Sequence, residues 1–275
     1  MMLVKMPSFS NVTEGQTAVI PRLPLGDMYH AIQLTYGGTV FDQGDMTGIR
    51  LIIDGKTVWN ITGTHLDLLN NYRKLTDASA TKLTMWFADP TLNDQVQKQI
   101  GSIDTAAMGV REMSIECDLS GTTAPTLRAD AITSPSSPKA DRFAGVFRSM
   151  LKMTQTPAAA GQHDFPVALG SRSGAFISSV AFVHANITSL AVKRDGRNHY
   201  DDLTNAIIGQ MNGQTKRAVQ SGLVVFDPVA LGDAEDMVST VRGDGTPANF
   251  EFLPTVSAAD TVTIYSEIIT TLERV

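Results

Sequence analysis

Thr47-Gly48-Ile49-Arg50-Leu51-Ile52-Ile53-Asp54-Gly55-Lys56 carries two signals in ten residues. Ile49, Leu51 and Ile53 fall on every second position, the period of a strand with one buried face. The run then meets Asp54-Gly55, a pair suited to a two-residue hairpin turn because both turn positions need φ above zero. The same pattern returns 141 residues later as Thr188-x-Leu190-x-Val192-x-Arg194-Asp195-Gly196-Arg197. Each copy is followed by a short helical piece, Leu66 to Tyr72 in one and Leu203 to Ile208 in the other. Further on, Met85-Trp86-Phe87-Ala88-Asp89-Pro90 resembles Val224-Val225-Phe226-Asp227-Pro228, a step of 138 from Asp89 to Asp227. Proline cannot donate to a ladder, so both strands should stop there. Pro24-Leu25-Gly26 resembles Ala168-Leu169-Gly170 at a step of 144, and Met113-Ser114-Ile115 resembles Val262-Thr263-Ile264 at 149. Four landmarks in the same order predict a duplicated domain.

Period-two alternation recurs through Ile32-x-Leu34-x-Tyr36 and Met113 to Leu119, with Gly, Pro, Asp and Asn between the runs. Many short strands with few helices indicate a sandwich or barrel class. The expected fold is all-β: two tandem eight-stranded jelly rolls with a short linker helix. The expected divisions are an N-terminal arm at 1–20, a first jelly roll at 21–133, a linker at 134–163 and a second jelly roll at 164–275. Thr133-Ser134-Pro135-Ser136-Ser137-Pro138 marks the break. An amphipathic helix is predicted from Pro138 to about Met153, because Phe143, Val146, Phe147, Met150 and Leu151 share one helical face. Ser137 would cap it, and Lys139, Arg142, Arg148 and Lys152 would surround the stripe. Such a helix could clamp the two halves or meet an anionic lipid surface or a neighbouring subunit. Shorter helices are predicted near 65–74 and 201–211. The loops at 90–110 and 228–250 fit either an outer surface or the seams between subunits.

Composition narrows the function. Lys and Arg total 22 against 28 Asp and Glu, a formal charge of −6, which is the wrong sign for a protein that neutralises phosphates. Charged residues are 18%, against roughly 25% in ordinary globular chains. No run approaches the about 18 apolar residues of a membrane-spanning helix. The single cysteine, Cys117, sits on the apolar side of an alternating strand between Glu116 and Asp118, a setting opposed to a reactive thiolate. The five histidines form no metal-binding spacing, which argues against a two-barrel metalloenzyme. Gly55-Lys56-Thr57 lacks the upstream glycine of a phosphate-binding loop. No Gly-x-Ser-x-Gly elbow exists, so no enzymatic activity is expected. Asp233, Glu235 and Asp236 are candidate Ca²⁺ ligands by their hard oxygens, against the plainer reading of a solvated loop. Asp54, Gly55, Asp195, Gly196, Phe143 and Phe147 are the residues expected to matter structurally.

Leu23-Pro24-Leu25-Gly26, Tyr29, Ile32, Leu34, Tyr36-x-Gly38, the run from Ile49 to Lys56 and the run from Leu66 to Lys74 together resemble the major capsid proteins of corticoviruses. These are tailless icosahedral phages with a membrane beneath the protein shell. The match is most specific over residues 20–75. The resemblance implies upright barrels side by side, a homotrimer with six barrels in a nearly hexagonal footprint, and an icosahedral shell over the internal membrane. It implies a separate vertex protein, membrane-associated virion proteins as neighbours, no direct contact with nucleic acid, and structural Ca²⁺. It also implies residence in the virion after assembly in the host cytoplasm. The competing reading is a receptor- or carbohydrate-binding jelly-roll protein of a virion vertex or spike. Aromatic residues are only 7%, and Trp59 and Trp86 read as strand residues, which weakens it.

Overall fold

The structure is a computed structural model that describes residues 1–75, 77, 79–136, 145–169 and 174–275. In chain order the strands of the first half are β1 (Met2–Lys5), β2 (Thr17–Ile20), β3 (Asp27–Gly37), β4 (Met46–Ile53), β5 (Lys56–Ile61), β6 (Lys82–Trp86), β7 (Ile103–Asp104), β8 (Met113–Leu119) and β9 (Thr126–Pro135). Helix α1 (Gly63–Tyr72) lies between β5 and β6. The second half holds β10 (Val146–Gln155), β11 (Gly161–Gln162), β12 (Phe176–Val183), β13 (Ile187–Arg194), β14 (Arg197–Thr204), β15 (Leu223–Phe226), β16 (Val238–Ser239), β17 (Phe250–Val256) and β18 (Val262–Thr271). Helix α2 (Asn205–Gly213) follows β14.

Pairing reproduces the duplication strand by strand. The first half has one sheet in the order β1-β9-β3-β6, with β7 beside β3, and a second layer in the order β2-β8-β4-β5. The second half has β10-β18-β12-β15, with β16 beside β12, and β11-β17-β13-β14. Adding nine to every strand number converts the first set of pairings into the second. Each half is thus two sheets face to face, the jelly-roll way of covering apolar faces. A parallel bridge between Met150 on β10 and Trp59 on β5 joins a sheet of one barrel to a sheet of the other.

Two apolar clusters fill the barrels. Ile32, Leu34, Ile49, Leu51, Phe87 and Cys117 belong to the first, and Phe182, Leu190, Val192, Phe226, Phe252 and Ile264 to the second. Phe147, Met150 and Tyr265 of the second half pack into the first cluster, so apolar packing runs across the junction. Burial, with Asp118 adding to it, pushes the Cys117 thiol up to about 12. Trp59 is buried and Trp86 half-buried.

Three expectations need correction. Residues 146–155 are a strand, not a helix: β10 pairs antiparallel with β18 over ten residues. A strand wedged between two barrels is covered on both faces, so its sequence does not alternate, and its apolar residues mimic helical spacing. Ser137, Pro138, Lys139, Arg142 and Phe143 lie outside the described residues. Residues 1–20, expected as an N-terminal arm ahead of the first jelly roll, are part of that barrel, because β1 pairs with β9 and β2 with β8. The fourth landmark was mismatched. Met113 pairs with Ile53 and Phe250 with Arg194, each opposite the last residue before Asp-Gly. The counterpart of Met113 is therefore Phe250, and Val262 opens the counterpart of β9.

Candidate functional site: the seam between the barrels

The Asp-Gly hairpins sit where the quoted runs place them. Asp54 and Gly55 have φ of 48° and 78°, and Asp195 and Gly196 have 51° and 76°. Each aspartate also fastens a distant loop. The Asp54 carboxylate accepts from the Arg111 and Glu112 amides at 2.9 and 2.8 Å, and that of Asp195 accepts from the Asn249 amide at 2.9 Å and from Arg242.

The junction between the barrels is built around buried charge. Arg148 on β10 donates to Glu267 on β18 at 3.0 Å and to Asp89 at 3.1 Å. Arg73, just beyond α1, donates to the same Glu267. Arg217 donates to Asp227 at 2.6 Å and to the Thr91 hydroxyl at 2.8 Å. The Tyr72 hydroxyl donates to Asp227 at 3.0 Å, and Arg217 lies over the Tyr72 ring at 5.9 Å. All of these charged side chains are buried. Three arginines meet three carboxylates, so the cluster is formally neutral. Its members come from both barrels: Tyr72, Arg73, Asp89 and Thr91 from the first, Arg148, Arg217, Asp227 and Glu267 from the second.

The electrostatics follow from the pairing. Burial alone would raise the Asp89 carboxyl, but Arg148, Arg73 and the Thr91 hydrogen bond outweigh it and hold the group well below the usual carboxylate range. Burial opposes the charge on Arg73, yet Glu267 and Asp89 push its basicity above the ordinary value. Burial, then Asp227, raises Tyr72, so its phenol stays protonated as a donor. Beside the cluster the Trp59 indole donates to the Arg148 carbonyl at 2.8 Å, and His65 Nδ1 lies 2.8 Å from the Tyr265 hydroxyl. Burial, with Lys152 as the lesser cause, lowers the His65 pKa and keeps that ring neutral.

This arrangement fixes one barrel against the other. Asp89 and Asp227, the residues just before the prolines expected to stop the two strands, anchor it. Phe147 is fully buried beside it. Arg148, read as part of a polar helix face, is instead at its centre. The loops at 90–110 and 228–250 meet each other: the Asn93 amide donates to the Gly232 carbonyl at 2.8 Å, and Gln97 donates to Asp233 at 3.1 Å. Asp233 also caps a short 3-10 turn through the Glu235 amide at 2.9 Å, while Glu235 and Asp236 are exposed. Asp233, Glu235 and Asp236 therefore do not converge, and among the described residues no three His, Cys, Asp or Glu side chains group as a metal cage. No described helix is long and apolar enough to cross a membrane.

Two jelly rolls in tandem, locked through a buried seam, define the class of double jelly-roll capsid proteins. The sequence pattern of the viral coat protein P2 N-terminal domain matches residues 3–134, and that of the P2 C-terminal domain matches residues 147–272. The chain belongs to the viral coat protein P2 family and is a structural component of a virion capsid. Among solved structures it is similar to the major capsid protein P2 of bacteriophage PM2, with a TM-score of 0.85 and 20% identity over 99% of this chain and 98% of that one. It is similar to a chain of Sulfolobus turreted icosahedral virus at a TM-score of 0.71 and 12% identity, covering 98% and 91%. The PBCV-1 virus capsid follows at 0.62 and 10%, covering 98% and 94%. No curated protein matches the sequence. The matched domains begin at residue 3 and at residue 147, in agreement with β1 and β10 as opening strands.

Proposed function

We propose that three copies of this chain associate into a capsomer of six upright barrels, and that these blocks tile an icosahedral shell over an internal membrane. The observation that carries this reading is the strand-by-strand duplication, with both copies held rigidly by the neutral ion cluster. A block with two similar barrels needs only three-fold association to offer six similar sides, and many weak contacts between such blocks add up across a shell. Five-fold vertices then require a different protein, and membrane-associated virion proteins become neighbours. The charge of −6 suits a shell kept apart from nucleic acid by lipid. Structural Ca²⁺ would bridge acidic faces of adjoining chains through their hard carboxylate oxygens. Light scattering on the purified chain tests the reading. It predicts a mass about three times 29.6 kDa, and a stable monomer at all concentrations overturns it.

A further inference from the structure

The duplication brings one of its own positions to the same place twice. Thr62 caps α1 through the His65 amide, and Thr204 caps α2 through the Ile207 amide, which aligns the two helices. Lys74 and Lys216 each stand twelve residues beyond their capping threonine, so they are copies of one position in the repeat. The junction draws the two helix ends together: the Ala218 amide donates to the Tyr72 carbonyl at 2.7 Å. Lys74 and Lys216 consequently line one open cleft of about 480 Å³, and Lys98 from the 90–110 loop lines it as a third lysine. Arg73 also borders the cleft, but its charge is spent on Glu267.

Nothing in the cleft balances these lysines. Among the described residues no Asp or Glu lines it, and none of the three lysines belongs to an ion pair. Asp94, four residues before Lys98, spends its carboxylate on the Val96 and Gln97 amides at 2.8 and 3.2 Å. The ion cluster behind the cleft is formally neutral. Three positive charges therefore gather without a counter-charge in a chain whose formal charge is −6. Lys216 is also positioned. Its ammonium donates to the Thr91 carbonyl at 3.0 Å and to the Asn93 side-chain oxygen, both neutral acceptors. An ammonium has three N–H donors, so one remains for a ligand. Lys74 ends α1 with a φ of 57°, in a left-handed position usually filled by glycine or asparagine. Like charges around one cleft repel, and an anion between them turns that repulsion into attraction.

We propose that this cleft binds a phosphate-type oxyanion, either free phosphate or the phosphate of a lipid headgroup, held by Lys74, Lys98 and Lys216. Lysines act as compact point charges, which suits a tetrahedral oxyanion, whereas a planar carboxylate is better matched by the arginine fork. Lys74 and Lys98 belong to the first barrel and Lys216 to the second, so the bound anion ties the two together. The site lies within one chain and does not depend on how copies associate.

The test titrates sodium phosphate into the full chain by calorimetry, at an ionic strength fixed with sodium chloride. One phosphate should bind per chain. Lys74→Gln, Lys98→Gln and Lys216→Gln should each weaken it about tenfold, the loss of one charge-assisted contact. Lys98→Arg should keep binding, and so should Lys193→Gln, which removes the same charge outside the cleft. Circular dichroism reports that each variant is folded. Absence of saturable phosphate binding, or binding that all three glutamine variants leave unchanged, overturns the proposal. A second measurement needs no variant. Phosphate should slow acetylation of the wild type at Lys74, Lys98 and Lys216, read by mass spectrometry, and leave Lys193 unaffected; equal labelling with and without phosphate at all three overturns the proposal as well. Sedimentation with vesicles assigns the source. Binding to phosphatidylglycerol but not phosphatidylcholine vesicles, lost in Lys216→Gln and in excess phosphate, assigns the lipid headgroup. Phosphate binding without vesicle sedimentation assigns the free anion.

Discussion

Arg148 shows how much one side chain can hold. It bridges Asp89 of one barrel and Glu267 of the other while almost fully buried. Breaking a buried pair by deleting one partner costs about 3–5 kcal/mol, because the remaining charges keep their desolvation penalty. Arg148→Met should therefore lower the unfolding free energy by about that amount in chemical denaturation, and an unchanged midpoint would refute the role given to the cluster. The same cluster sets an acid limit. The Asp89 carboxyl is held below its ordinary value, so its stabilising contribution is complete above the unfolded value near about 4 and is lost as pH falls below it. The denaturation midpoint should drop below about pH 4, and the drop should be shallower in Asp89→Asn; identical profiles would contradict it. None of this was legible in the sequence beyond two Asp-Pro pairs. The charged members come from positions 73, 89, 148, 217, 227 and 267, and no local pattern links such distant residues.

At the level of elements, what could be read was what is local. An Asp-Gly turn is decided by its own backbone, so both hairpins were visible before any packing was known. Both turn glycines have positive φ, and a Cβ there would meet no atom within 4 Å. The cost of Gly55→Ala or Gly196→Ala is then backbone strain alone, about 1–2 kcal/mol. The two costs should be nearly equal, because the duplication gives both turns one geometry; a neutral effect at either site would contradict the turn assignment. Strand β10 was misread for the opposite reason. Its conformation is imposed by ten pairings with β18 and by the barrel on its other side, and sequence spacing records neither. Strand β1 was missed because four exposed or half-buried residues carry no alternation strong enough to detect.

For the whole molecule the duplication sets the function. Two barrels of one topology, fused through one seam, leave one bare edge of each kind, and a chain of that design is suited to meet copies of itself. The repeat, the two-barrel architecture and the coat-protein resemblance were all legible in the sequence, because a copied gene leaves ordered landmarks. The angle between the barrels was not, because it is fixed by the buried cluster. Electron cryomicroscopy of the intact particle tests the central claim most directly. It should show capsomers of six upright barrels in alternation, first half and second half, standing over a bilayer. A shell whose capsomers have another number of barrels, or are built from a different protein, would contradict it.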